Sequence, residues 1–124
     1  MAILVVLDDL IFRSKIELAA RQAGEAVDVV SQPGAIPVSP RPGAWVRVFI
    51  DLDWSAADPL AVIAALRRAD ASVSIVGFCS HVDVETPIRA RAAGCTAVYP
   101  RSAFVRRLPE LIAGRDPDAF SQAT

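Results

Sequence analysis

Four aspartates stand in two close pairs, Asp8 with Asp9 and Asp51 with Asp53, and each pair follows a short apolar run, AILVVL and WVRVFI. Cys79, Ser80 and His81 follow a third such run, and Arg101 comes just after a fourth. Carboxylates gathered at one place raise one another's pKa unless a cation joins them. Mg2+ suits such a place, because it takes oxygen ligands and keeps several waters. A carboxylate beside Mg2+ can accept a phosphoryl group covalently. The competing explanation is structural. Aspartates end strands and cap helices in many proteins, and Asp9 and Asp58 each precede a helical pattern.

Whether these residues meet depends on the elements that carry them. Unbroken apolar runs predict buried strands at about residues 2–7, 26–30, 45–50, 73–78 and 96–99. Apolar spacings of three and four predict helices between them. The first carries Phe12, Ile16, Ala19, Ala20 and Ala23 and stops at Gly24. The second opens at Asp58-Pro59, a cap followed by proline at the first helical position. A third starts near residues 83–87 and stops at Gly94. The last opens at Ser102 and carries Phe104, Leu108, Leu111 and Ile112, with a kink or break expected where Pro109 removes a backbone donor. Residues 31–44 hold four prolines and two glycines, so a loop is expected in place of a helix. Residues 114–124 read as a tail, leaving one domain over 1–113. Alternating strands and short-linked helices predict an α/β fold, a doubly wound five-stranded parallel sheet. In such sheets function collects at the carboxyl ends of the strands. With strand order 2-1-3-4-5, the first and third strands are neighbours and all four carboxylates share one rim. Arg101 offers one charge against four, so an uncompensated cluster is expected.

The 124 residues are 53% hydrophobic and 22% charged, enough for one core, and the net charge of -1 gives no general pull toward nucleic acid or anionic lipid. The charge is uneven, however. Residues 1–66 carry five basic and eight acidic side chains, whereas residues 67–115 carry eight arginines and four acids. Either arginine is the common surface cation here, or the later elements make a basic partner-binding face. The two cysteines, Cys79 and Cys95, fall at opposite ends of a parallel pair. Four or five residues of strand separate them by roughly 15 Å, beyond the ~7 Å a disulfide tolerates. No signal-peptide pattern or membrane-length apolar run is present, so a cytoplasmic location is expected. Trp45 and Trp54 read as packing residues, with Trp54 also placed to cover the acidic rim. His81, the one histidine, reads as a surface residue rather than a pH switch or ligand. No glycine-rich fingerprint follows the first strand, and scattered cysteines and histidine argue against zinc.

Four segments carry a resemblance: ILVVLDDLIFR at 3–13, FIDLDWSAADPLAVIAALR at 49–67, VSIVGFCSHVD at 73–83 and ARAAGCTAVYPRS at 90–102. In this order and spacing the chain resembles the receiver domain of bacterial response regulators, a flavodoxin-like fold, over residues 2–113. The resemblance implies Asp51 as phosphoacceptor and Asp8 as an acidic metal ligand. The family's other acidic ligand falls on Leu7, with Asp9 as substitute from a shifted place; Asp53, which the sheet order places on the same rim, joins them in the acidic set expected to hold Mg2+. The family's switch Thr or Ser falls on Cys79, with Ser80 one residue later, and its lysine falls on Arg101. The proline after that lysine is Ser102 here, and the switch aromatic is Val98, with Tyr99 beside it. Arginine keeps the charge of lysine but is a fork rather than a point donor, and cysteine donates poorly to a phosphoryl oxygen.

Two readings follow from the resemblance. One is a stand-alone signalling module, not an enzyme, that takes a phosphoryl group on Asp51 from a donor such as a histidine kinase. The other is a pseudo-receiver that keeps the fold and partner face without phosphate transfer. Either acts by binding a protein, with Arg89, Arg91, Tyr99, Arg106 and Arg107 as the face and a homodimer among the admitted assemblies. No membrane or direct nucleic-acid contact is expected. A third reading, of another class, is a small flavodoxin-like enzyme or ligand-binding domain using the same rim.

Overall fold

A computed structural model describes residues 2–32, 34, 44–80 and 84–115. Strands and helices alternate as β1 (Ala2–Val6), α1 (Leu10–Gln22), β2 (Val27–Val30), β3 (Trp45–Asp51), α2 (Pro59–Ala69), β4 (Ser74–Cys79), α3 (Glu85–Ala93), β5 (Ala97–Pro100), α4 (Arg101–Arg106) and α5 (Leu108–Ile112). All four strand pairings are parallel and the order is β2-β1-β3-β4-β5, as expected. The expectation for residues 31–44 lies, apart from Ser31, Gln32, Gly34 and Ala44, outside the described residues. So does the tail beyond Arg115.

The period of two along each strand divides the core between the faces of the sheet. Ile3, Val5, Leu7, Phe49, Val76, Phe78, Ala97 and Tyr99 pack with Phe12 and Ile16 of α1 and with Phe104, Leu108, Leu111 and Ile112 of α4 and α5. Leu4, Val6, Val48, Ile50, Ile75, Cys79 and Val98 pack on the other face with Ile63 and Leu66 of α2 and Ala90 of α3. Among the described residues no helix is long and apolar enough to cross a membrane.

Local chemistry explains where the helices begin and end. Asp9 Oδ1 accepts from the Phe12 N–H at 3.1 Å and starts α1, and Asp58 Oδ1 accepts from the Leu60 N–H at 3.0 Å and starts α2. The break near Pro109 is also present. α4 stops at Arg106, Arg107 closes it, and Pro109 falls in the first turn of α5, where its missing donor costs nothing. One boundary differs with a consequence. α4 opens at Arg101 rather than Ser102, because β5 extends to Pro100, which caps the helix with extended φ −63°, ψ 152°. Arg101 is thus fixed at the strand's carboxyl end.

On the far side of the molecule, Arg67 joins the ends of α2 and α3. Its Nε and Nη2 donate to the Gly94 carbonyl at 3.0 and 2.8 Å, and its Nη1 donates to the Asp70 and Ala71 carbonyls at 3.3 and 2.9 Å. These carbonyls end α2 and α3, where intrahelical partners run out. Gly94 itself has φ +130°, which other residues rarely adopt. Arg67→Ala is expected to cost about 2 kcal/mol, roughly 8 °C in melting temperature. Arg67→Lys should recover less than half of that, because a point donor cannot serve three carbonyls. Thermal unfolding followed by circular dichroism measures both.

Cys79 and Cys95 are both buried and unbonded, as the strand geometry requires. Burial pushes the Cys95 thiol up to about 12.

Candidate functional site

β1 and β3 are adjacent, so their carboxyl ends bring the acidic residues to one rim, beside the end of β4 and the start of α4. Asp51 is the last residue of β3 and is only 2% exposed. By alternation it lies on the same face as Phe49, and it pairs in register with Phe78. Its two carboxylate oxygens are both engaged. Oδ1 accepts from the Asp53 N–H at 2.9 Å, and Oδ2 accepts from Arg101 Nη2 at 2.7 Å.

The Arg101 guanidinium lies among three of the predicted acids. Besides Asp51, it has Nη1 3.8 Å from Asp9 Oδ2 and Nε 3.8 Å from Asp53 Oδ2. It also lies over two rings, 4.8 Å from the centroid of Phe12 and 5.4 Å from that of Phe78. Such placement adds a cation–π attraction and shields the ion pair from water. This corrects the expected uncompensated cluster. Proximity outweighs the unfavourable count, since one cation reaches three carboxylates.

Asp53 is held in turn by Ser80, whose N–H and Oγ donate to Asp53 Oδ2 at 2.7 and 2.8 Å. Asp8 is exposed, and Asp9, one residue on, both caps α1 and faces Arg101. Leu7 is buried at 1% exposure. Among the described residues no group of three or more His, Cys, Asp or Glu side chains is placed to hold a metal ion. Cys79 is buried on the opposite face of the sheet from Asp51, and its thiol donates to the Tyr99 carbonyl at 4.0 Å. His81 and Asp83 lie outside the described residues.

Asp51 has its pKa raised above the ordinary carboxylate value. Burial is the largest cause. The Asp53 N–H and the Arg101 charge pull it down, and the neighbouring Asp53 carboxylate adds a small upward push.

The predicted arginine face needs one correction. Tyr99 is 1% exposed and packs in the core with Phe104, because strand alternation turns it inward toward α1, α4 and α5. Arg89, Arg91 and Arg106 are exposed and Arg107 is half-buried. The residues that sequence reasoning missed are the aromatic ones. Phe12 stacks on Phe78 at 4.9 Å and Phe78 on Phe104 at 4.5 Å, forming the surface on which Arg101 lies. Read alone, each phenylalanine is a core residue. The available signal was that Phe12 sits three residues after Asp9, and Phe78 directly before Cys79, where β4 ends. Trp54 is 3% exposed and donates from its indole N–H to the Ser31 carbonyl at 3.3 Å, tying the end of β2 to the loop after β3.

No family model matches the chain, and no curated protein matches it in sequence. Solved structures are similar in fold. A response regulator from Burkholderia pseudomallei, determined with a phosphorylated aspartic acid, a calcium ion and citrate, superposes with a TM-score of 0.72 at 17% identity, over 91% of this chain and 71% of that one. A receiver domain protein from Methanospirillum hungatei gives 0.73 at 12% identity, over 91% and 94%. A receiver domain from Rhodospirillum rubrum gives 0.72 at 16% identity, over 90% and 91%. With the strand order and the placement of Asp51 and Arg101 at the sheet's carboxyl rim, these similarities establish that the chain has the fold of a response-regulator receiver domain.

Proposed function

We propose that this chain is a receiver-like signalling module that acts by binding a protein partner and does so without phosphoryl transfer. The observation that carries the proposal is the closure of Asp51. Its carboxylate is buried, and both oxygens already accept hydrogen bonds, one of them from Arg101 at 2.7 Å. A carboxylate that attacks a phosphodonor needs an oxygen presented to solvent and a cation to draw the phosphoryl oxygens in.

The Burkholderia pseudomallei structure holds calcium, and another neighbour, the response regulator Rcp1, was solved with Mn2+ at a TM-score of 0.71 and 14% identity. The residues here do not fit a divalent ion as they stand. Leu7 puts a buried alkyl group where the resemblance calls for a carboxylate, and the Arg101 guanidinium lies among Asp9, Asp51 and Asp53. Mg2+ would have to displace it. Output through a partner then rests on the exposed arginines Arg89, Arg91 and Arg106, which suit an acidic protein surface. The module carries out no catalysis of its own and works in the cytoplasm.

A phosphoaccepting reading has one observation in its favour. The Ser80 hydroxyl and Arg101 both stand at the rim beside Asp51 and could contact a phosphoryl group once Arg101 turned outward. The two readings separate in one experiment. The protein is incubated with acetyl phosphate and Mg2+, and its intact mass is measured. No phosphate-sized increase is expected. An increase in wild type that disappears in Asp51→Asn overturns the proposal in favour of phosphoacceptance.

A further inference from the structure

Beside the acid rim, a cleft of about 200 Å³ opens between the loop after β3, the start of α2 and the first two turns of α3. Leu52, Pro59 and Leu60 give it an apolar floor, and Asp58, Thr86 and Arg89 give it a polar edge. A cavity of ~150 Å³ holds a benzene ring, so this one has room for a ring and a carboxylate.

We infer that the cleft is a binding site for a small organic monoanion with an apolar body, such as an arylacetic acid. Three features point to this ligand class. The apolar floor takes the ring, as in most small-molecule sites. Arg89 supplies a planar fork that matches a carboxylate. Its partner Glu85, at 3.4 Å, is a loose one, since both side chains are more than two-thirds exposed (67% and 74%), and a ligand carboxylate can compete with it. Asp58 fixes the ligand's direction. Its carboxylate already caps α2 at the Leu60 N–H, so it repels a second carboxylate and turns it toward Arg89 and Thr86.

The cleft is distinct from the acid rim but touches it through Leu52. That residue lies between Asp51 and Asp53, and its side chain packs so closely on Gly77 that a Cβ there would meet it at 3.1 Å. A ligand on the floor therefore bears on the backbone that holds both aspartates. The inference does not depend on how Asp51 is used, so its failure leaves the proposed function untouched.

Phenylacetate is the probe, titrated into 15N-labelled protein and followed by amide chemical shifts. The expected result is saturable shifts at Leu52, Leu60, Thr86 and Arg89. Neutral 2-phenylacetamide should bind about tenfold more weakly, and Arg89→Ala should lose a similar factor, as for one charge-assisted hydrogen bond. Arg89 is exposed, so this variant keeps the fold, and Arg89→Lys should retain part of the affinity. Absence of shifts overturns the site. Equal binding of the amide, or undiminished binding by Arg89→Ala, overturns the assignment to an anion.

Discussion

Asp51→Asn is expected to raise the melting temperature at pH 7 by about 4 °C, on the order of 1 kcal/mol, and to leave it nearly unchanged at pH 3. The cause is burial. Asp51 is 2% exposed and its folded-state pKa is raised. For an acid shifted upward, the group's contribution to stability is full below the unfolded value of ~4 and is lost as pH rises through the folded value. Asparagine resembles the protonated acid and escapes that loss, so the difference between the two proteins opens from about pH 4 upward. Against this stands the ion pair with Arg101. In the variant Arg101 keeps Asp9 and Asp53, each 3.8 Å away, so it is not stranded, and desolvation remains the largest influence on Asp51. Repulsion among four uncompensated carboxylates predicts the same sign but a different dependence on metal. Under repulsion the gain shrinks in Mg2+, because the ion stabilises the folded wild type. With Arg101 as the resident cation, the gain is the same in Mg2+ and in EDTA. Thermal melts of both proteins across pH 3 to 8, with and without Mg2+, decide between these causes. A lower melting temperature for Asp51→Asn at pH 7 would show that the ion pair outweighs burial.

Arg101→Ala is the opposite case and carries the larger effect. Removing the cation leaves Asp51 buried and charged, with one backbone N–H as its remaining support. Breaking a fully buried pair from one side costs ~3–5 kcal/mol. The Arg101 side chain is 22% exposed, so a loss of about 2–3 kcal/mol, roughly 8–12 °C, is expected. The packing of the guanidinium on Phe12 and Phe78 is lost with it. The loss should be smaller at pH 3, where Asp51 can take up a proton. Combining Arg101→Ala with Asp51→Asn should recover much of the loss, because the double variant buries no charge at that position. A coupling of about 1–2 kcal/mol in this double-mutant cycle is expected. Additivity of the two changes would mean that the 2.7 Å contact contributes nothing of its own.

The sheet was legible because its signals are local. Unbroken apolar runs mark the strands, Asp9 and Asp58 mark helix starts, and every strand boundary falls within one residue of its expected place. The rim was legible in its members but not in its balance. Carboxylates after strands one and three can be placed from topology alone, whereas the direction of a long side chain cannot. Arg101 reaches inward because Pro100 ends β5 and sets Arg101 as the first helical residue. It stays there because Phe12 and Phe78, from two other elements, give it a flat surface. None of these three residues signals that role by itself. Tyr99 was misplaced for a similar reason. β5 is covered on both faces, with Val98 in the core beside α2 and α3 and Tyr99 in the core beside α1, α4 and α5, so neither register exposes Tyr99, and one short apolar run does not tell a strand covered on both faces from one with an open face.

The contact between Arg67 and Gly94 constrains the mutational routes open to this chain. A Cβ on residue 94 would lie 2.8 Å from the Arg67 Cβ and 2.9 Å from its Cγ, while the Arg67 guanidinium bonds the carbonyl of that same residue. Each side chain is therefore part of the other's selective environment. A change at 94 made first meets both a clash and an unfavourable φ of +130°. The clash with Cγ disappears if Arg67 has already become small, though the 2.8 Å approach to Cβ and the backbone strain both persist. The two substitutions are thus order-dependent, and lineages that lose Arg67 first can explore residue 94 at lower cost than lineages that begin with the glycine.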